Sequence, residues 1–188
     1  GGVECSRFAS VGRLESCIRP DMPSPTLLIR PAQESDAADM LAIYRPVVEQ
    51  TATSFEESVP SLAEFSTRLN KYLKDWCAFV AEHSGRVVGY AYGSSHRERA
   101  AYRWSVETTV YVAAEAQRAG TGRALYGALL PALAQAGFCN AYAGVALPNT
   151  ASVGLHEAVG FRSIGTFPRV GYKHGAWHDV AWLHKALR

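Results

Sequence analysis

The 188-residue sequence has few cysteines and no long apolar segment. No two cysteines form a C-x-x-C pair, and they lie far apart at Cys5, Cys17, Cys77 and Cys139. This spacing argues against a disulfide framework or a zinc site, and it predicts reduced thiols in a cytoplasmic protein. No apolar run approaches the roughly 20 residues that a membrane-spanning helix needs. The N-terminus also lacks the continuous apolar core of a secretory signal. We therefore expect a cytoplasmic protein that does not enter a membrane.

The sequence also lacks a strong excess of charge of either sign. Its formal net charge at pH 7 is +2, which is too small to indicate a nucleic-acid partner. The closest grouping of arginines is Arg97, Arg99 and Arg103. That grouping fits either a solvated loop or a site that captures an anionic ligand. Apolar residues make up 48% of the chain and charged residues 19%, which is typical of a folded globular protein.

The N-terminal residues differ from the rest of the chain. Residues 1–25 show no clear periodicity, and Pro20, Pro23 and Pro25 lie near their end. We predict that these residues form an extension outside the fold. Residues 26–188 should form one domain, because their number suits a single hydrophobic core.

From residue 26 onward, hydrophobic periodicity and turn residues predict the element order βααβββαβαββ. The predicted strands are 26–30, 77–82, 86–94, 104–112, 138–145, 161–167 and 178–187, and the predicted helices are 35–50, 61–75, 120–136 and 150–159. Ser35 and Ser61 are expected to cap the first two helices, Ser61 in a capping box with Glu64. Three consecutive strands indicate an antiparallel meander, and the strand–helix–strand steps after them indicate mixed α/β packing.

Two predicted helices contain an internal proline. Pro46 should kink or end the first helix, because proline lacks the N–H that the helix interior requires. Pro131 should kink the third helix for the same reason.

A glycine-containing segment lies between the strand 104–112 and the helix 120–136. It consists of Gln117, Arg118, Ala119, Gly120, Thr121, Gly122 and Arg123. Glycines at a helix start leave backbone N–H groups open to a ligand, and the helix dipole and the two arginines add positive charge. The segment is not a P-loop, since no Gly-Lys-Ser/Thr is present, and Leu125 occupies the third glycine position of a dinucleotide fingerprint. It predicts a pyrophosphate-binding loop.

This loop resembles the acyl-CoA loop of the GNAT acetyltransferase superfamily. The sequences LPNTAS at 147–152 and LHEAVGF at 155–161 resemble that superfamily's second CoA element. The sequences VETTVYV at 106–112 and GYKHGAWHDV at 171–180 are similar to phosphinothricin and methionine sulfoximine N-acetyltransferases. The resemblance extends from about Leu28 to the C-terminus.

The resemblance implies a fold and an activity. The fold is an α/β (α+β) GNAT domain, in which helices flank both faces of a central mixed, mostly antiparallel twisted sheet. The activity is direct transfer of an acetyl group from acetyl-CoA to the α-amino group of a small amino-acid-like substrate. Phosphinothricin, methionine sulfoximine and methionine sulfone are the substrate types that the resemblance implies.

The strand 106–112 is suited to acid–base chemistry. Its alternation places Glu107, Thr109 and Tyr111 on one face and the remaining residues on the other. Glu107 is the expected general base. A carboxylate is a much weaker base than an amine, so we favour proton transfer through a water molecule. The resemblance brings His156 to the active site as well, where it could accept a proton or donate one.

The resemblance also implies ligand contacts. Besides the loop 117–123, the CoA contacts are Val110, Tyr111, Val112, Asn149 and Ser152, with a backbone N–H near Tyr111 or Val112 polarising the thioester carbonyl. The implied substrate contacts are Phe55, Arg97, Arg99, Tyr102, Thr109 and Tyr111. Arginine suits a carboxylate or phosphinate because it donates two parallel hydrogen bonds. Gly144 and Ala146 stand where the closest family pattern has valine and glycine, so the resemblance does not define the side-chain specificity.

Two other functions are compatible with the sequence. A peptide or protein N-terminal acetyltransferase would use an open groove and would not need the cluster of Arg97, Arg99 and Tyr102. A non-catalytic acyl-CoA-binding domain would need neither Glu107 nor His156.

The expected partners are a small amine and a second copy of the chain. The enzymes that the sequence resembles pair as homodimers, and Trp177 and Trp182 could supply apolar contact. No metal is expected. His174 and His178 are four residues apart, but no H-E-x-x-H motif and no carboxylate-rich surroundings accompany them.

Overall fold

The computed structural model describes residues 26–188, so the predicted extension at 1–25 lies outside the described residues. The described strands are β1 (Leu28–Pro31), β2 (Ala78–His83), β3 (Arg86–Ser95), β4 (Ser105–Val112), β5 (Asn140–Ala146), β6 (Arg162–Lys173) and β7 (Ala176–Ala186). The described α-helices are α1 (Ala37–Gln50), α2 (Leu62–Asp75), α3 (Thr121–Gln135) and α4 (Thr150–Ala158). Their order confirms the prediction βααβββαβαββ.

The seven described strands form a single sheet with the order β1-β2-β3-β4-β5-β7-β6. All neighbours are antiparallel except β4 and β5. The pairing of β4 with β5 ends at Glu107 opposite Tyr142, whereas its pairing with β3 continues to Val112. The two strands therefore separate beyond Glu107, and we call this point the β4–β5 fork.

Hydrophobic cores lie on both faces of the sheet. On one face, Val106 packs with Leu125, Leu129 and Leu133 of α3. On the other face, α1 and α2 cover a second core that includes Met40, Leu69 and Tyr90, and Tyr111 packs against it. The predicted alternation along β4 is thus confirmed, with even-numbered residues toward α3 and odd-numbered residues toward α1 and α2.

The predicted helix starts have different outcomes. The capping box of α2 is confirmed, because Ser61 Oγ accepts from Glu64 N at 3.3 Å and Glu64 Oε2 accepts from Ser61 N at 2.8 Å. The prediction that Ser35 caps α1 is wrong. Ser35 lies inside a 3₁₀ turn, Glu34–Asp36, and Asp36 Oδ2 accepts the Gln33 N–H at 2.8 Å instead.

Both internal prolines lie within continuous helices. α1 runs four residues past Pro46 and α3 four residues past Pro131, so neither proline ends its helix. Each helix packs on the sheet, and this packing offsets the missing backbone hydrogen bond.

The last two strands are longer than predicted. The prediction ended β6 at Phe167, and the next residue, Pro168, cannot donate to a neighbouring strand. In the structure β6 is an edge strand, and the register shifts between Phe167 and Gly171, so the proline falls where no ladder bond is needed. The strand then continues to Lys173.

Two of the cysteines lie in the described part of the chain. Cys77 and Cys139 are both free thiols. None of the helices between residues 26 and 188 combines the length and the apolarity that crossing a membrane requires.

Candidate active site

Glu107 lies at the β4–β5 fork beside two cationic or ionisable side chains. Its Oε1 is 3.0 Å from His96 Nδ1 and 3.5 Å from Arg97 Nη1. A carboxylate oxygen accepts hydrogen bonds, so His96 Nδ1 carries the proton in this pair. We call Glu107, His96 and Arg97 the carboxylate cluster. Its side chains retain between 14% and 49% of their exposure, so solvent and substrate can reach it.

Aromatic rings hold His96 in place. Its ring stacks on Tyr142 with 4.5 Å between centroids, and it meets the rings of Tyr102 and Trp182 edge-on at 5.8 Å and 6.2 Å. Sequence reasoning missed His96. The signal was present in the predicted antiparallel meander, because Ser94 of β3 pairs with Glu107 and places the end of β3 next to it.

His156 is buried, with 3% of its surface exposed, between α4, α3 and the sheet. Its Nδ1 lies 2.7 Å from the Ser152 carbonyl oxygen, so Nδ1 carries a proton and donates it there. Its Nε2 lies 2.8 Å from the Tyr126 hydroxyl, which in turn is 3.3 Å from Thr108 Oγ1. We call His156, Tyr126 and Thr108 the histidine cluster.

Burial determines the protonation of the histidine cluster. It lowers the pKa of His156, so the imidazole is neutral near pH 7 and its Nε2 accepts the Tyr126 proton. Burial also raises the pKa of Tyr126, which stays protonated. Thr108 Oγ1 donates to the Tyr142 carbonyl at 3.3 Å, so the cluster reaches the β4–β5 fork.

The glycine loop opens onto the start of α3. Arg118 and Gly120 adopt left-handed conformations with φ of 60° and 82°, and no side chain caps the helix. The first N–H groups of α3 are therefore available to a ligand. Arg118 and Arg123 are exposed, and neither forms an ion pair with another residue of 26–188. These features fit the pyrophosphate of acetyl-CoA.

The second CoA element packs against the loop through glycine. A β-carbon at Gly122 would lie 2.8 Å from Leu155 Cδ2, so the Leu155 side chain would have to shift to admit one. Asn149 caps α4, because its Oδ1 accepts from Ser152 N at 3.0 Å. The structure thus places both predicted CoA elements on the same side of the sheet.

A cavity of about 330 Å³ lies close to the carboxylate cluster. It is lined by Thr53, Phe55, Gly144, Ala146, Phe167, Val170, Val180 and Trp182. The ring of Trp182 connects it to the cluster, since Arg97 lies 5.9 Å from the ring centroid. Of the predicted substrate contacts, only Phe55 lines this cavity.

Phe55 is fixed by glycine and lysine on β6. Its ring lies so close to Gly171 that a β-carbon there would overlap with it. Lys173 Nζ donates to the carbonyls of Val48 and Ser54, both at 2.7 Å, and so ties the chain before Phe55 to β6.

The predicted substrate contacts Tyr111, Arg99 and Tyr102 do not line this cavity. The Tyr111 ring packs against Tyr44 at 5.1 Å and Tyr90 at 5.6 Å within the core under α1 and α2. Arg99 is exposed and precedes a 3₁₀ turn at Ala100–Tyr102, which brings Tyr102 to His96.

A second cavity of about 520 Å³ lies between α1, the β2–β3 turn and the end of β4. It is larger, but Glu107, His96 and His156 are not among its lining residues. No group of three or more His, Cys, Asp or Glu side chains within 26–188 is arranged to hold a metal ion. His178 Nε2 instead lies 3.1 Å from the Lys173 carbonyl.

A mixed sheet that opens beside a glycine loop, with a carboxylate at the opening, defines an acyl-CoA-dependent transferase. The comparisons with known proteins agree. Residues 29–182 match the family described as "Acetyltransferase (GNAT) domain", and the chain belongs to this family of acetyltransferases, which bind acetyl-CoA.

Three relatives illustrate the similarity. A phosphinothricin N-acetyltransferase from Streptomyces viridochromogenes is 40% identical over 84% of this chain and 86% of its own. An L-methionine sulfoximine/L-methionine sulfone acetyltransferase from Salmonella typhimurium is 32% identical over 86% of this chain and 95% of its own. The crystal structure of a GNAT superfamily phosphinothricin acetyltransferase from Sinorhizobium meliloti with AcCoA has a TM-score of 0.82 and 34% identity. That comparison covers 86% of this chain and 88% of the other, and it confirms the predicted GNAT fold.

Proposed function

We propose that the protein transfers an acetyl group from acetyl-CoA to the α-amino group of a small amino-acid-like substrate. The substrate types named for its relatives are phosphinothricin, methionine sulfoximine and methionine sulfone. The observation that carries the proposal is the position of Glu107 at the β4–β5 fork, hydrogen-bonded to His96, on the strand that leads to the open glycine loop.

The acetyl-CoA site combines the loop 117–123 with the open edge of β4. Arg118, Arg123 and the free N–H groups of α3 would hold the pyrophosphate. Beyond Glu107 the edge of β4 that faces β5 has no strand partner. The backbone of Tyr111 is paired with Tyr90 of β3, so the N–H groups of Val110 and Val112 are the ones available to the pantetheine arm and the carbonyl. Bound acetyl-CoA would supply a thioester carbonyl for the substrate amine to attack.

Glu107 is the proposed general base. Its Oε1 is engaged by His96 and Arg97, which leaves Oε2 to accept a proton from the amine through a water molecule. His96 acts as a positioning residue in this scheme, because its own orientation is fixed by the stack on Tyr142.

The histidine cluster is assigned to assisting the reaction from the other side of the β4–β5 fork. Tyr126 donates to His156 Nε2 and lies against Thr108 Oγ1, and the lowered pKa of His156 supports a neutral imidazole that accepts this bond. In this scheme the cluster stays neutral and holds Thr108 in position. The proton that leaves the amine through the Glu107 water is the one that the coenzyme A thiolate needs, so Tyr126 is not ionised.

An acetyl-CoA turnover screen tests the proposed function. Free amino acids, their sulfone, sulfoximine and phosphinic analogues, their amides and short peptides are compared by kcat/KM. We expect free amino acids or their analogues to be acetylated in preference to amides and peptides. Equal turnover of an amino acid and its amide would instead favour a peptide N-terminal acetyltransferase. Acetyl-CoA binding without any turnover would favour a non-catalytic domain.

The assignment of the CoA loop is tested by reversing its charge. Arg118→Glu and Arg123→Glu should each weaken acetyl-CoA binding in calorimetry, because both side chains are exposed and the fold does not depend on them. Lys74→Glu, on the exposed surface of α2, is the control for a charge reversal away from the loop. Unchanged affinity in the loop variants would contradict the site.

We also propose a homodimer that works in the cytoplasm. Support for the dimer comes from the edge strand β6 and its hairpin with β7, which expose Ile164, Tyr172 and Trp177 by more than half. Trp182, in contrast, faces the cavity. The free thiols Cys77 and Cys139 support a reducing compartment. Light scattering should give a dimer mass for the parent protein and a smaller mass for Ile164→Glu, and a monomeric parent would refute the dimer.

A further inference from the structure

The walls of the 330 Å³ cavity carry no charge. Its eight lining residues are glycine, alanine, valine, aromatic residues and Thr53. The polar side-chain atoms among them are the Thr53 hydroxyl and the Trp182 Nε1, which is buried without a hydrogen-bond partner among the described residues. Phe167 and Trp182 pack together at one side with 5.7 Å between ring centroids, and Phe55 forms the opposite rim. Such a surface favours an apolar group and disfavours an ion.

The cavity lies where a substrate side chain would extend. Trp182 belongs to its wall, and the same ring contacts His96 edge-on at 6.2 Å and Arg97 at 5.9 Å. A substrate whose amine reaches Glu107 can therefore extend its side chain past the Trp182 ring into the apolar cavity. Its carboxylate suits the exposed arginines that precede β4, Arg97 and Arg99.

Small residues on β5 form the floor of the cavity. Gly144 pairs with Trp182, and a β-carbon at Gly144 would lie 3.4 Å from Trp182 Cη2 and 3.5 Å from Val180 Cγ1. That is ordinary contact, so alanine would fit, whereas any larger side chain would occupy the cavity itself. Ala146, two residues on, lies on the same face and is also small. The cavity is deep here because the residues at both positions are small.

We infer that this cavity is the side-chain subsite of the enzyme and that it selects amino acids with uncharged, apolar side chains, such as methionine, leucine or phenylalanine. The inference rests on the proposed function. The anionic phosphinate of phosphinothricin would lie against tryptophan, phenylalanine and valine with no cation in the cavity wall. Because Phe167 and Val170 are about half exposed, the anion would keep part of its hydration, but the part lost would not be replaced by an ionic partner.

Steady-state kinetics with a matched set of free amino acids test the inference. We expect kcat/KM for methionine, leucine and phenylalanine to exceed that for phosphinothricin and glutamate by at least about tenfold. The reverse order, with turnover intact, overturns the inference and leaves the proposed function standing. Absence of turnover with every amino acid, with acetyl-CoA binding retained, overturns both.

A charge introduced into the cavity wall provides the converse test. Val170 lines the cavity and is 52% exposed, so it should accept a longer side chain without loss of folding. Val170→Arg should raise the ratio of kcat/KM for phosphinothricin to that for methionine by about tenfold or more, since one charge-assisted hydrogen bond is gained. Val170→Met has similar length without the charge and should leave the ratio unchanged. An unchanged ratio in Val170→Arg, at equal Tm and CoA affinity, contradicts the subsite.

The depth of the cavity is tested by a substitution at Gly144, in its floor. Gly144→Val should reduce kcat/KM for phenylalanine more than for alanine, because the added methyl groups shorten the cavity. Gly127→Ala, on an open face of α3 with nothing within 4 Å, is the control for a glycine substitution. Equal losses for phenylalanine and alanine would show that the substrate side chain lies elsewhere.

Discussion

The two polar clusters on either side of the β4–β5 fork differ in their contact with water. In the carboxylate cluster, Glu107 retains 28% of its side-chain exposure and lies beside two basic groups. In the histidine cluster, His156 and Tyr126 are almost fully buried and form hydrogen bonds without a charged partner. Adjacent residues of one strand, Glu107 and Thr108, belong to the two clusters, because successive side chains of β4 point to opposite faces.

This difference separates two tasks within one short strand. A base must exchange its proton with solvent after each turnover, and the exposed carboxylate cluster can do so. The buried histidine cluster stays neutral, and its hydrogen bonds hold Thr108 at the β4–β5 fork in one position. The contrast makes four predictions, which run from the largest expected effect to the smallest.

Removing the charge of Glu107 should have the largest effect. Glu107→Gln keeps the shape of the side chain and should lower kcat by about 10²–10⁴-fold, as loss of a general base does. Acetyl-CoA affinity should not change in calorimetry. The deficit should shrink at high pH, where the substrate amine is already neutral. A deficit of equal size at pH 6 and pH 9 would exclude the role of proton acceptor.

Removing an exposed arginine should affect substrate binding alone. Arg99→Ala should raise KM roughly ten- to a hundredfold, because a lost charge-assisted hydrogen bond costs about 1.5–3 kcal/mol. The variant should also lose its preference for free amino acids over their amides. Arg86→Ala, at an exposed turn, should leave both quantities unchanged. If KM is unchanged in Arg99→Ala, this residue does not hold the substrate.

A buried hydroxyl of the histidine cluster should matter for stability. Tyr126→Phe leaves His156 Nε2 without a donor, which should lower the free energy of unfolding by about 1–3 kcal/mol in urea titrations. Tyr90→Phe is the matched control, because the Tyr90 hydroxyl is buried without a partner among the described residues and its removal should be neutral or stabilising. Equal losses in both variants would mean that the Tyr126 bond contributes nothing.

The pH dependence of stability should show the smallest effect. Burial lowers the pKa of His156, so between its folded and unfolded pKa the unfolded chain binds more protons. Neutral His156 therefore contributes fully to the free energy of unfolding above about pH 6.5, its pKa in the unfolded chain. This contribution is lost as the pH falls through the lower pKa of His156 in the folded protein. His156→Gln should flatten the decline of unfolding free energy from pH 7.5 to pH 5, and exposed His83→Gln should not. The same slope in both variants would contradict this assignment.

Much of the fold could be predicted because its signals are local. The capping box of Ser61 and Glu64 and the alternation along β4 depend on residues that are neighbours in the chain. The start of α1 was harder to predict, because Asp36 binds both Arg30 at the end of β1 and the Gln33 N–H and so holds a 3₁₀ turn that contains Ser35. The length of β6 depended on a bulge that absorbs Pro168.

The site was only partly predictable, because its contacts are long-range. Glu107 could be named from its strand, but the partnership with His96 depends on the register between β3 and β4. Trp182 was expected at a dimer interface, whereas the pairing of β5 with β7 turns it into the cavity. The burial of His156 results from three elements that meet only in the folded chain.

At the β4–β5 fork a central strand has unpaired backbone groups, which in most sheets are found only on the outermost strands. β4 is the fourth of seven strands, yet beyond Glu107 it is bonded on one side only. In hydrogen–deuterium exchange, the amides of Thr108–Val112 that point toward β5 should therefore exchange like those of an edge strand, while Val106 stays slow. A ligand that binds along this open edge acts as a missing strand, so its arrival should be visible as new protection in the middle of the molecule.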